Sequence, residues 1–91
     1  MAVKVKIPTP LRALTGELDT VQSEGATLQE LVGHLESNYP GMRERLCDDQ
    51  GSLRRFVNVY INGEDVRFLS GLESSLSEGD EVSIVPAVAG G

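Results

Sequence analysis

Thr27-Leu28-Gln29-Glu30-Leu31-Val32-Gly33-His34-Leu35-Glu36-Ser37-Asn38-Tyr39-Pro40 carries its apolar residues at helical spacing. Leu28, Leu31, Val32, Leu35 and Tyr39 fall on one face and make a single apolar stripe. Thr27 and Glu30 have the spacing of a capping box, in which a hydroxyl and a carboxylate satisfy backbone donors left free at a helix start. Pro40 disfavours helical geometry at Tyr39 and ends the element there. A stripe on one side of one helix needs an apolar surface to cover, and the flanking sequence supplies strands.

Upstream, Val3, Val5 and Ile7 alternate with Lys4 and Lys6 until Pro8 and Pro10 stop the strand. An irregular stretch to Thr15-Gly16 follows, and Glu17–Glu24 has a weaker strand pattern, with Leu18 and Val21 on opposite faces. Downstream, Gly41–Leu46 reads as a short helical turn and 47–52 as an exposed polar loop that includes Cys47. In Phe56–Ile61, Val57, Val59 and Ile61 share one face while Phe56, Asn58 and Tyr60 share the other. Asn62-Gly63 suits a two-residue hairpin, which predicts a short returning strand that holds Val66 and Phe68. After a turn at Ser77-Glu78-Gly79-Asp80, Val82 and Ile84 point inward from a last strand that runs to about Val85. The order is strand, strand, helix, strand, short strand, strand: an α+β roll whose helix covers one face of a mixed sheet.

The 91 residues suit one domain with one core, expected over 1–86, and the 40% apolar and 24% charged content is that of an ordinary globular domain. Fourteen acidic residues against 8 basic ones give a net charge of −6, which opposes binding to phosphate backbones and anionic lipid. Neither nucleic acid nor a membrane is an expected partner, and the free chain is expected to be a monomer. A lone cysteine allows no internal disulfide and no cysteine-rich metal cluster. With no apolar run resembling a signal peptide or a span, the reading is cytoplasmic.

Beyond Pro86 stand Ala87-Val88-Ala89-Gly90-Gly91, small residues expected to project from the roll as a flexible tail. Two glycines carry no Cβ, so a narrow channel in a partner could admit the terminal carboxylate and hold the extended backbone by hydrogen bonds. A carboxylate resists nucleophilic attack until its oxygen is joined to a better leaving group, as in an acyl adenylate made from ATP by a separate enzyme. Sulfide or a persulfide then displaces AMP and leaves a thiocarboxylate, a sulfur nucleophile held covalently and delivered inside a second enzyme. On its own, a final Gly-Gly is a weak motif and is equally read as a frayed end.

The longer run Glu78-Gly79-Asp80-Glu81-Val82-Ser83-Ile84-Val85-Pro86-Ala87-Val88-Ala89-Gly90-Gly91 is more specific. It resembles the ubiquitin-like sulfur carriers, a family that includes the small subunit of molybdopterin synthase and the thiamin-pathway carrier. Ile7-Pro8-Thr9-Pro10-Leu11-Arg12, Thr15-Gly16, Arg55–Asn62 and Glu64–Phe68 extend the likeness over nearly the whole chain, toward carriers of the thiocarboxylate route to cysteine. The resemblance implies a β-grasp fold, with the first and last strands parallel at the sheet centre. It implies Gly91 as the thiocarboxylate residue, Gly90 as its slender lead-in, and Pro86, Ala87, Val88 and Ala89 as the segment partner enzymes recognise. It also implies an E1-like adenylyltransferase that uses ATP, a pyridoxal-phosphate (PLP) cysteine synthase as acceptor, and a zinc peptidase that releases the product. The chain itself would bind no cofactor and perform no catalysis. Val85 departs from the molybdopterin branch, which carries an aromatic residue there.

Phe56, Tyr60 and Val85 could form an apolar docking patch on the open sheet face, or simply pack across strands. His34 has no second histidine and reads as a solvated helix flank rather than a metal ligand. Cys47 reads as a spectator thiol, and Arg43-Glu44-Arg45 and Arg54-Arg55 as solvated charge. Two other functions share the tail chemistry or dispense with it. One is a protein modifier conjugated through the diglycine, and the other is an interaction module with an idle tail. Molybdopterin, thiamin and tRNA thiolation remain alternative destinations for the sulfur.

Overall fold

A computed structural model describes residues 2–86. Its strands are β1 (Ala2–Lys6), β2 (Thr20–Glu24), β3 (Val57–Ile61), β4 (Glu64–Asp65) and β5 (Glu81–Pro86), and its α-helices are α1 (Leu28–Asn38) and α2 (Met42–Leu46). They form one sheet in the order β2-β1-β5-β3-β4. β1 and β5 run parallel, with Val5 opposite Val82, and the other neighbours are antiparallel. This is the β-grasp arrangement, with the first and last strands adjacent at the centre.

The strand alternation places Val3, Val5, Val59, Ile61, Val82 and Ile84 beneath the helix, where Leu28, Leu31, Val32 and Leu35 meet them. Tyr39 is partly buried at the C-cap of α1, as the stop at Pro40 requires. Thr27 Oγ1 accepts from the Glu30 amide at 3.3 Å. The reciprocal bond reaches one residue further back than in the usual box, from the Ala26 amide to Glu30 Oε1 at 3.0 Å. Asn62 and Gly63 take φ of 52° and 88°, the positive angles that the tight hairpin between β3 and β4 requires.

Four local expectations are corrected. The second strand begins at Thr20 rather than Glu17, because Glu17 takes a φ of 69°, and Leu18 stands outside it, 52% exposed. Thr9–Thr15 is a 3-10 helix rather than irregular chain; it buries Leu11 and Thr15 and closes on Gly16 in the left-handed region. β4 is only two residues long, because Asp65 Oδ1 accepts from the Arg67 amide at 2.8 Å and caps a 3-10 turn over Val66–Phe68. Val66 thereby enters the core and Phe68 is left 87% exposed, so the two do not continue a strand. Cys47 is not in the exposed loop: it is 5% exposed, bridges Leu53, and its amide donates to the Arg43 carbonyl at 2.7 Å. The polar loop begins at Asp48, whose Oδ1 accepts from the Gln50 and Ser52 amides.

Candidate functional site

β5 leads to the proposed working end of the chain, so its surroundings define the candidate site. β1 pairs with it from Glu81 to Ser83, whereas β3 follows it to Pro86. Ile84, Val85 and Pro86 therefore run past the β1 ladder, held on the β3 side, with Asn58 opposite Val85 and Val57 opposite Pro86. Pro8 explains why β1 goes no further, since it has no amide to donate to the ladder. Pro86, the last described residue, thus lies beside the turn that precedes β3. Ala87, Val88, Ala89, Gly90 and Gly91, expected as the recognition segment and the thiocarboxylate residue of a flexible tail, lie outside the described residues.

The sheet face opposite the helices is mixed in character. Tyr60 lies across from Ser83 and Asn58 across from Val85, so Tyr60 and Val85 are diagonal neighbours on this face. Tyr60 is half-buried and Val85 is 44% exposed. Lys6 and Glu81, on the same face, make an ion pair at 2.8 Å. That bond holds the Lys6 ammonium above its ordinary pKa and the Glu81 carboxyl below it. The expected apolar patch is thus a pair, Tyr60 and Val85, flanked by paired charge. Phe56, 58% exposed, stands apart in the turn before β3, at the rim of a recess lined by Asp48, Arg54, Arg55 and Val57.

That turn has a support that the sequence reading did not single out. The Arg67 guanidinium reaches back from the 3-10 turn after β4 and donates through Nη2 to the carbonyls of Arg54, Arg55 and Val57, at 3.3, 3.2 and 2.9 Å. Its Nη1 donates to Asn58 Oδ1. No local periodicity announces this fork, since its acceptors lie about ten residues earlier and meet it only once the β3–β4 hairpin closes.

His34 is more than a solvated flank. Its Nδ1 lies 2.8 Å from the buried Ser23 hydroxyl and its Nε2 3.9 Å from the Glu24 carboxylate, so it ties α1 to β2. Among the described residues no group of three or more His, Cys, Asp or Glu side chains could hold a metal ion. Burial pushes the Cys47 thiol above its ordinary pKa, which disfavours the reactive thiolate. No described helix is long and apolar enough to cross a membrane.

Comparison with known proteins places this geometry in company. The chain matches the ThiS family over residues 5–91. It is 52% identical over 93 aligned positions to the sulfur carrier protein CysO of Mycobacterium tuberculosis, across the whole of both chains. The crystal structure of the Amycolatopsis orientalis BexX/CysO complex contains a chain that superimposes with a TM-score of 0.92 at 48% identity, covering 98% of this chain and 99% of that one. Small archaeal modifier protein 3 of Haloferax volcanii is 41% identical over 68 residues, 75% of this chain and 73% of its own.

Proposed function

The chain belongs to the ThiS family of ubiquitin-like sulfur carriers, and on that premise we propose that the Gly91 carboxylate is adenylated and converted to a thiocarboxylate that donates its sulfur to cysteine biosynthesis. The observation that carries this reading is the full-length 52% identity to the CysO sulfur carrier. The fold adds a physical reason. The last three residues of β5 are paired on the β3 side alone, so at the end of the described chain an enzyme can reach the strand's backbone without opening the core.

The partner roles follow from the chemistry. An ATP-using adenylyltransferase makes the acyl phosphate anhydride, with pyrophosphate as the leaving group. A sulfur donor displaces AMP, and the resulting thiocarboxylate attacks an electrophile held by an acceptor enzyme, here proposed to be a PLP-dependent cysteine synthase. The product is then an acyl adduct on Gly91, and a zinc peptidase would hydrolyse it to release cysteine and restore the carboxylate. Gly90 and residues 86–89 would serve as the slender lead-in for each enzyme's channel, and Tyr60, Val85 and Phe56 as the docking surface beside it. All of this takes place in the cytoplasm, with no catalysis and no bound cofactor in the chain itself.

Intact-mass measurement of the protein from its native host tests the reading. Exchange of one oxygen for sulfur, localised to Gly91 and lost on deletion of Gly90 and Gly91, is the expected result. The likeness to a small archaeal modifier supports a second reading, conjugation of the same adenylate to lysine amines. Ladders of larger conjugates in place of the sulfur-bearing monomer would favour it.

A further inference from the structure

The Arg67 fork links two parts of the molecule that sequence keeps apart. Its acceptors, the carbonyls of Arg54, Arg55 and Val57 and the side chain of Asn58, bracket Phe56 on both sides. Phe56 is 58% exposed, and the next residue, Val57, is the first of β3 and pairs with Pro86, the last of β5. The same guanidinium therefore fixes both the turn that presents Phe56 and the end of the ladder from which the tail departs.

The planar guanidinium sets Nη2 among the three carbonyls while Nη1 holds Asn58 Oδ1, a two-nitrogen span that the single nitrogen of a lysine ammonium cannot reproduce. The base of the fork is itself set: the Arg67 amide donates to Asp65 Oδ1, and Val66 anchors the turn in the core. The turn is closed by the Val57 amide on the Arg54 carbonyl at 3.1 Å, and its start is tied by the Arg54 amide to the Leu46 carbonyl at 2.9 Å. Arg67 is what holds the Arg55 carbonyl, next to Phe56. An exposed aromatic on a looser turn would lose conformational freedom on docking. A turn already held in one shape loses less, and its partner binds more tightly for the same contacts.

We infer that Arg67 is a positioning residue for partner docking: it locks the Arg54–Val57 turn so that Phe56 stands ready beside the outgoing end of β5. This inference rests on the sulfur-carrier reading and adds to it the residue that shapes the docking surface. Arg67 touches no reacting atom, so its removal should weaken recognition of the carrier and leave the chemical step unchanged.

The test uses the full chain, the adenylyltransferase purified from the same host, ATP and sulfide, with thiocarboxylation followed by mass. Arg67→Ala is expected to raise KM for the carrier about tenfold with kcat unchanged, and Arg67→Lys to restore little of it. Phe56→Ala should raise KM similarly, and the double variant should be no worse than Phe56→Ala alone, because both remove one arrangement. Nuclear relaxation of the Phe56 amide should show its order parameter falling below about 0.6 in Arg67→Ala while core amides stay rigid. If Arg67→Ala does not fold, Arg67→Gln carries the same measurements. An unchanged KM, a fall in kcat alone, strictly additive effects of the two substitutions, or a Phe56 amide that stays rigid would each overturn the inference. A wild-type chain that gains no sulfur would bring down the sulfur-carrier reading and this inference together, whereas normal loading of both wild type and variant removes the inference alone.

Discussion

The side-chain amide of Asn62 donates to the carboxylate of Asp80 at 3.0 Å, which ties the tip of the β3–β4 hairpin to the turn that starts β5. Asn62 Oδ1 accepts from the Glu81 amide in return, and the second Asp80 oxygen accepts from the Ser77 amide. These donors, Asn62 foremost, hold the Asp80 carboxyl below its ordinary pKa of 3.8. Because the folded value is the lower one, the contribution to stability is present above pH 3.8 and is lost as pH falls through the folded pKa. Glu36, held down by the Arg43 and Gly41 amides, acts in the same direction. Denaturant midpoints should therefore fall from mild acid downward. Asp80→Asn should start less stable and lose less over that interval; parallel midpoint curves for the two proteins would contradict this account.

Gly25 sits where β2 turns into α1, and a Cβ there would lie 2.6 Å from the Leu31 backbone nitrogen and 3.0 Å from the Thr27 carbonyl oxygen. Both are backbone atoms of the helix start and cannot rotate away. Gly25→Ala must displace that first turn, together with the Thr27 cap, and should cost about 1–3 kcal/mol. Urea unfolding followed by circular dichroism measures it. A variant with the wild-type midpoint would mean that the junction yields more readily than its geometry implies.

What could be read from the chain and what could not divide along sequence distance. The stripe from Leu28 to Leu35, the alternation of Val57, Val59 and Ile61, and the Asn62-Gly63 turn are local patterns, and each predicts its element. Val66 and Phe68 have the same two-residue spacing as a strand, but a side chain just ahead of them, Asp65, caps a turn instead. Cys47 precedes Asp48-Asp49 and so reads as loop, although α2 carries it inward with Leu46. At the candidate site, Tyr60 and Val85 were legible from alternation alone. The Lys6–Glu81 pair needed the β1–β5 register, and the Arg67 fork needed the closed hairpin.

Burial of Cys47 makes a chemical prediction. With its thiol 5% exposed and its pKa raised by burial, alkylating reagents should label it slowly in the folded protein and fully in denaturant. Cys47→Ala should lower stability by about 1 kcal/mol through lost packing and leave sulfur loading at Gly91 intact. Loss of loading in a folded Cys47→Ala variant would move the sulfur chemistry from the chain's end to this side chain.

Tyr60 offers the sharpest separation of folding from partner recognition. It lies on the face away from the helices, across from Asp65 on one side and Ser83 on the other, diagonal to the exposed Val85. Tyr60→Glu places a charge in this apolar pair and opposite a carboxylate, a cross-strand cost of up to about 1 kcal/mol, small beside the core beneath it. The variant should fold with a melting temperature a few degrees lower, while thiocarboxylation by the adenylyltransferase falls at least tenfold. Tyr60→Phe, which keeps the apolar ring and removes only the hydroxyl, should load normally. If the Tyr60→Glu protein accepts sulfur as fast as wild type, the open face is not where the activating enzyme docks, and the contact must be sought at the Phe56 turn alone.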